Sequence, residues 1–351
     1  MPKNKLTLLI DGNWLLMSRL SVLLSKYVDD DKLVRDLKQL VTHSIKLVLK
    51  QFPQIDNIMM CVDGGSWRTK IDNSQILDID GNVIEYKGTR EKSEDVNWDM
   101  IFNAYNELCE LYKKYNINVY RELDVEGDDW IWYWSTRLNN EGTNCIIWSK
   151  DNDLKQLVNI NKDKCFTVWW NKDTGIFAPE HSTDDFNFLF NIEYDTNAKL
   201  FNDIIKNQPV TQINKNEIVL DKIIRGDKSD NIAPIIIRKP KTPSSKIYRI
   251  SSKDIDFDLN YNNDEDVVNF ITEIFNSKKY HNKIYENSVN DIYKHFLYNK
   301  QLVYLDESSY PEYILDLFNQ YKDYNVSTDI DSCEAEIIAQ NNKLYNILNI
   351  I

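Results

Sequence analysis

Leu6-Thr7-Leu8-Leu9-Ile10-Asp11-Gly12 is an apolar run of strand length that stops on an acid and a glycine, and this ending recurs along the first half of the chain. Met60-Cys61-Val62-Asp63-Gly64 repeats it. Val125-Glu126-Gly127-Asp128-Asp129 follows the strand candidate Ile117–Tyr120, and Ser149-Lys150-Asp151-Asn152-Asp153 follows Cys145–Trp148. Between these runs, Asp31–Lys50, Trp98–Tyr115 and Asp128–Asn139 carry apolar residues at the three-and-four spacing of one helix face. Strand and helix in alternation predict an α/β domain with a central, mostly parallel sheet flanked by helices. Ligands of such sheets bind beyond the carboxyl ends of the strands. Asp11, Asp63, Glu126, Asp128, Asp129, Asp151 and Asp153 are therefore expected along one edge.

Ile76–Tyr86 predicts a hairpin turning on Asp80-Gly81, and Cys165–Trp170 a further strand. From about Asp184 the pattern becomes helical, over Asp184–Lys206, Asn216–Ile224, Asp264–Phe275, Lys279–Tyr298 and Glu312–Tyr321. The expected division is an α/β domain over 1–183, a helical domain over 184–325 and an Asn-rich acidic tail over 326–351. The stretch from Arg238 to Lys246 reads as a loop by composition. Some of Trp130, Trp132, Trp134, Trp148, Trp169 and Trp170 are expected in the core by bulk, and none is assigned a catalytic role.

Composition removes several classes. With 351 residues, two domains have room for a sizeable core. The cysteines, Cys61, Cys109, Cys145, Cys165 and Cys333, are odd in number and lack metal-ligand spacing. That predicts a reducing compartment and no disulfide framework. No apolar run reaches the roughly 18 residues of a membrane span, and the start lacks a secretory h-region, so a soluble cytoplasmic protein is expected. A net charge of −13 argues at first against nucleic acid. The objection weakens if the carboxylates converge on cations and a basic surface lies elsewhere.

Any one of these acids has an ordinary alternative as a helix N-cap or first-turn residue. As a set they would repel one another without a cation, and oxygen ligands lacking His or Cys select Mg²⁺ or Mn²⁺. Two such ions about 4 Å apart serve in-line phosphoryl displacement, so phosphodiester hydrolysis is the chemistry expected. Ile224-Arg225-Gly226-Asp227-Lys228-Ser229-Asp230-Asn231 adds Asp227 and Asp230, three residues apart, as candidates for a second ion. A plain Gly-Asp turn is the alternative.

These blocks, together with Tyr86-Lys87-Gly88-Thr89-Arg90, resemble in order and spacing the structure-specific 5′ nucleases, the family of flap endonucleases and 5′-3′ exonucleases, over about residues 5–235. The resemblance implies a PIN-like nuclease domain, with an arch at about 86–100, and a C-terminal all-helical domain. The region after Asp230 departs from the family's glycine-rich helix–hairpin–helix, being Ile232-Ala233-Pro234-Ile235-Ile236-Ile237 here.

By resemblance, Asp11, Asp63, Asp128 and Asp151 surround a first Mg²⁺, with Glu126 close by, and Asp153, Asp227 and Asp230 hold a second. Asp129 either joins them or caps its helix. Lys87 and Arg90 match the family's basic arch residues at the scissile phosphate. Tyr86 matches an aromatic on which a flayed base stacks, its alternative being an ordinary strand-end tyrosine. Arg68, Arg238, Lys239 and Lys241 are expected on substrate, the loop ones along the duplex backbone; a solvated loop is the bland alternative.

The implied activity is that of a Mg²⁺-dependent 5′-3′ exonuclease and flap endonuclease with ribonuclease H activity, removing RNA primers in phage replication. Its expected partners are RNA–DNA hybrid and flap, nicked or gapped duplex, with a single-strand-binding protein and a sliding clamp as further candidates; a monomer is expected. The rivals are a PIN-like single-strand endoribonuclease and a non-catalytic junction binder. The first usually lacks the Lys87–Arg90 arch and the Asp227/Asp230 pair, and the second would tend to have lost the acids.

Overall fold

The computed structural model describes residues 5–26, 30–74, 76, 83–90, 95–115, 117–160, 165–179, 203, 206, 208–235, 250–277 and 288–322. They form two compact bodies, each built from separate stretches of chain. One comprises Met1–Gly65, Lys92–Ile213 and Tyr313–Ile351, and the other Ser66–Glu91 and Asn214–Glu312.

The first body is organised on one sheet. Its strands are β1 (Leu6–Asp11), β2 (Asn57–Cys61), β3 (Ile117–Tyr120), β4 (Asn144–Trp148), β5 (Asn159–Ile160), β6 (Phe166–Asn171), β7 (Gly175–Pro179) and β8 (Val210–Ile213). They lie in the order β3-β2-β1-β4-β6-β7-β8, with β5 beside β6. The pairs β1–β2, β1–β4, β2–β3 and β4–β6 are parallel, while β6–β7 is antiparallel. Every residue of β1 and β4 is buried, as expected of central strands covered on both faces, which read as continuous apolar runs. Leu8, Leu9 and Ile10 have no exposed surface, and each such side chain contributes about 1.5–3 kcal/mol relative to exposure.

The covering helices are α1 (Gly12–Leu24), α2 (Asp30–Gln51), α3 (Trp98–Lys113) and α4 (Gly127–Asn140). The last three have the apolar stripes legible in the sequence. Helix α1 has none, because Trp14, Met17, Val22 and Leu24 spread apolar surface around it beyond the buried Leu15, Leu16, Leu20 and Leu23. Trp130, Trp134, Trp148, Trp169 and Trp170 are at most 1% exposed and Trp132 is 9% exposed, so the tryptophans are core, as bulk predicts. Cys61, Cys109, Cys145 and Cys165 are free and buried.

The second body packs α5 (Lys215–Arg225), α6 (Asp264–Asn276) and α7 (Val289–Val303) around Val219, Ile223, Ile271, Ile292 and Phe296. The buried amide of Asn299 on α7 donates to the carbonyls of Ile223 and Ala233, both at 2.8 Å, closing the end of α5 where intrahelical partners run out. A last helix, α8 (Glu312–Gln320), returns to the first body, where Phe318 packs against Trp130 and Tyr133.

This arrangement corrects the linear boundary expected at residue 184. Val210–Ile213 is a strand paired to β7 rather than part of a helical run. Ser66–Glu91 belongs to the helical body, because Ile76 and Tyr86 are buried among its apolar side chains. Of the helix expected over Asp184–Lys206 only residues 203 and 206 are described, and the tail over 326–351 lies outside the described residues. So does the Asp80-Gly81 turn, whose flanks are joined by the Ile84 amide on the Ile76 carbonyl at 3.0 Å. No described helix is long and apolar enough to cross a membrane.

Candidate metal centre

Parallel pairing brings the carboxyl ends of β1, β2 and β4 to one edge of the first body. In register, Asp11 lies against Cys61 and Ile10 against Trp148. Asp11 thus ends β1 in the middle of the sheet, Asp63 stands two residues past β2, and Ser149 follows β4 directly. The loop after β3 returns beside them to start α4. Gly64 permits that approach: a Cβ there would sit 1.9 Å from the Glu122 carbonyl oxygen, so no side chain fits.

Asp11, Asp63 and Asp151 each accept from neutral donors. The Asp11 carboxylate accepts from the Trp14 amide at 2.9 Å and from the Ser149 hydroxyl at 2.6 Å. The same hydroxyl accepts from the Asp151 amide at 2.9 Å. The Asp63 carboxylate accepts from the Gly127 amide at 2.6 Å, while its own amide donates to the Asn13 side chain at 3.1 Å. Asp151 accepts from the Asp153 amide at 2.9 Å. Glu126 is 7% exposed and precedes α4, and Asp128 is half-buried in its first turn.

Asp11 carries the electrostatic signature of the edge. Burial pushes its carboxyl up to about 7; the hydrogen bonds from Ser149 and Trp14 oppose this, and the charges of Asp63 and Asp151 add to it. An acid so placed ionises at a penalty unless a cation joins it. All-oxygen donors of this kind fit a hard divalent ion such as Mg²⁺ or Mn²⁺. Asp129 takes the other role open to it: it is fully buried and its carboxylate accepts from the Glu126 amide at 3.0 Å. It caps α4, the alternative weighed for it.

The second body carries the acidic turn. Gly226 ends α5 at φ 68°, and a Cβ there would lie 2.3 Å from the Ile232 carbonyl oxygen. The turn closes with Asp227 and Ile232 exchanging backbone hydrogen bonds at 2.7 and 2.9 Å. One Asp227 oxygen accepts from the Ser229 amide at 2.7 Å, and the other pairs with Lys222 at 2.5 Å. Burial alone would raise the Asp227 carboxyl, but Lys222 and Ser229 together hold it down at about 2. Asp230 forms an ion pair with Arg90. Asp227 and Asp230 each offer an oxygen within 4.8 Å of the other's.

The basic residues divide sharply. Lys87 has a left-handed backbone, φ 57°, with its amide bound to the Asp230 carbonyl at 2.8 Å and its ammonium 4.9 Å from the Tyr86 ring centroid. Tyr86 itself is 9% exposed inside the helical core, so burial takes its ring out of the base-stacking role. Arg68 needs a like correction. It is 2% exposed, donates from Nε to the Leu302 carbonyl at 2.9 Å, and lies 4.6 Å over the Trp67 ring. It is a buried cation serving the last turn of α7, where carbonyls lack partners. Arg238, Lys239 and Lys241 lie outside the described residues.

Sequence reasoning passed over Ser149, Asn13 and Lys222. Ser149 opens one of the quoted acidic blocks and Asn13 adjoins another, but neither residue type marks a position as an acid's orienting partner until the fold is known. Lys222 lies on α5, five residues before Asp227, and only the Gly226 reversal brings the two together.

Compared with known proteins, residues 6–187 match the family described as 5′-3′ exonuclease, N-terminal resolvase-like domain. No curated protein matches the chain. Among solved structures it is similar to a bacteriophage T5 protein co-crystallised with metal ions, at 15% identity and TM-score 0.54, covering 95% of this chain and 100% of that one. It is also similar to the bacteriophage T5 flap endonuclease in a pseudo-enzyme–product complex with DNA and metal ions, at 15% identity and TM-score 0.52, covering 99% of each chain. A third is the T5 5′-exonuclease bound to zinc, at 15% identity and TM-score 0.52, covering 90% of this chain and 97% of that one. At this identity the likeness concerns the fold.

Proposed function

The chain belongs to the 5′-3′ exonuclease family of structure-specific 5′ nucleases, and we propose that it is a Mg²⁺-dependent 5′-3′ exonuclease and flap endonuclease with ribonuclease H activity, which removes RNA primers during phage DNA replication. The observation that carries this reading is the Asp11 edge: a buried carboxyl pushed up to about 7, with Asp63 and Asp151 adding to the repulsion.

Asp11, Asp63, Asp128 and Asp151 would hold a divalent ion, with Glu126 close by, and the family resemblance implies Asp153, Asp227 and Asp230 as candidates for a second. Bound there, such ions supply Lewis acidity and activate water for in-line attack on a phosphodiester. The chain's own groups do the positioning. The Ser149 hydroxyl and the Trp14 amide fix the rotamer of Asp11, and the Gly127 amide does the same for Asp63. Lys87 places an ammonium for the phosphate oxygens that gain charge in the transition state. Its stiff backbone, tied to the Asp230 carbonyl, limits the reorganisation that such stabilisation requires. Arg90, paired to Asp230, is a second cation of this turn. Arg238, Lys239 and Lys241 would contact duplex phosphates, which position the substrate without reading sequence.

Incubation with 5′-labelled RNA–DNA hybrid, nicked duplex and flap substrates tests this directly. Short 5′ products with Mg²⁺ and none with EDTA are expected; cleavage that persists in EDTA, or no cleavage of any of the three, would reject it.

A further inference from the structure

A cavity of about 330 Å³ opens on the first body beside α1, lined by Trp14, Ser18, Arg19, Lys150, Lys172 and Asp173 among others. Its chemistry is mixed in a particular way. Three cations converge there on one acid: Lys150 pairs with Asp173, and Lys172 and Arg19 help hold the Asp173 carboxyl below its usual value. The wall therefore keeps an excess of two positive charges on a protein whose net charge is −13. Arg19 is oriented by donating from Nε to the Ser44 hydroxyl at 2.8 Å. The aromatic wall is Trp14, which is half-buried and braced edge-on by the buried Trp148, with centroids 5.8 Å apart at 73°.

We propose that this cavity is a nucleotide site, in which the Trp14 indole stacks on the base while Arg19, Lys150 and Lys172 hold the phosphate. Indole faces take any base, because every base has a π-face, and ammonium and guanidinium groups are the usual phosphate partners. The volume is at the small end of ligand pockets, which suits one base and one phosphate rather than a duplex. The location adds to the argument. The amide of Trp14 binds the Asp11 carboxylate, and Lys150 stands between Ser149 and Asp151, so the cavity wall and the acidic edge share two chain segments. The bound nucleotide is either a released mononucleotide or an unpaired nucleotide at a strand end. Naming these sources rests on the nuclease reading; the site itself does not.

The probe is deoxyadenosine 5′-monophosphate, titrated calorimetrically in EDTA so that the acidic edge takes no part, with deoxyribose 5-phosphate as the base-free control. Wild-type protein should bind the nucleotide at least tenfold more tightly than the control. The exposed pair Lys150→Ala/Lys172→Ala should weaken nucleotide binding at least tenfold. Trp14→Leu should remove the preference over the control. Should Trp14→Leu fail to fold by circular dichroism, the lysine pair still decides the matter. Affinity for a flap substrate, also in EDTA, separates the sources. A loss for the mononucleotide alone assigns the released product, and a loss for both ligands assigns a strand nucleotide. Unchanged nucleotide affinity in the lysine pair, or equal binding of the control, would overturn the site and leave Asp173 as the hub of a structural ion network. A wild-type protein that binds the nucleotide but cleaves nothing with Mg²⁺ would remove the nuclease reading while the site stood.

Discussion

Asp11 ends a strand and Asp227 sits in a tight turn, and their carboxyls move in opposite directions, up to about 7 for one and down to about 2 for the other. Both lose solvation. Asp227 regains it from a lysine and a serine of its own body. Asp11 has only a hydroxyl and an amide, with two further acids near enough to repel it. The difference separates a carboxylate whose counter-charge is built into the fold from one that meets further acids instead. Burial raises both carboxyls; the lysine beside one and the acids beside the other set them apart.

The largest effect is expected at Asp128. Asp128→Asn keeps the size of the side chain and removes one charge from the acidic edge. Cleavage of a flap substrate with Mg²⁺ should fall by at least about 10²-fold, the scale of one strong electrostatic contribution, with binding nearly unchanged. A fully active variant in single-turnover assays would end the assignment of this edge to a cation.

Next in size is Lys87→Ala, expected to lower single-turnover cleavage by about 10²-fold while equilibrium binding changes far less. A rate within about threefold of wild type, well short of that electrostatic scale, would reduce Lys87 to a surface residue packed over Tyr86.

Smaller still is the effect of the ion on stability. A ligand at 100 times its dissociation constant stabilises the folded state by about 2.7 kcal/mol. Mg²⁺ should therefore raise the thermal midpoint of the wild type, and Asp11→Asn should abolish most of that rise. Equal rises in both proteins, read by differential scanning calorimetry, would place the ion elsewhere.

The finest test is pH in EDTA, where the two acids act in opposite senses. Asp11 holds its proton more tightly folded than unfolded, so its contribution to stability falls as pH rises from about 4 to about 7 and stays low above that. Asp227 holds its proton less tightly folded than unfolded, so its contribution is present above about 4 and is lost as pH falls toward 2. Subtracting Asp11→Asn and Asp227→Asn melting curves from wild type should yield these two opposite slopes in adjacent windows. Slopes of the same sign would dissolve the contrast.

Much of the first body was legible because its signals are local. Leu6–Asp11, Ile117–Tyr120 and the helix after Glu126 appear within a residue or two of where their patterns place them, and the acids follow the strands because parallel sheets expose those ends. Helix α1 was not legible, since it has no polar face to set a period. Arg68 and Tyr86 were misread because an arginine and a tyrosine beside a basic motif look like substrate contacts, whereas Leu302 and the core around Ile223 enclose them across long sequence separations.

Period and chain order suffice to say which residue types end each strand, and hence that many carboxylates lie along one edge. It took the closed fold to bring Ser66–Glu91 into the helical body, to add Val210–Ile213 to the sheet, to make Asp129 a cap of α4, and to set the Asp11 and Asp227 carboxyls apart. Each of those depends on which groups meet after the chain closes long loops. Such meetings are set by burial and counter-charge in three dimensions, and no local spacing encodes them.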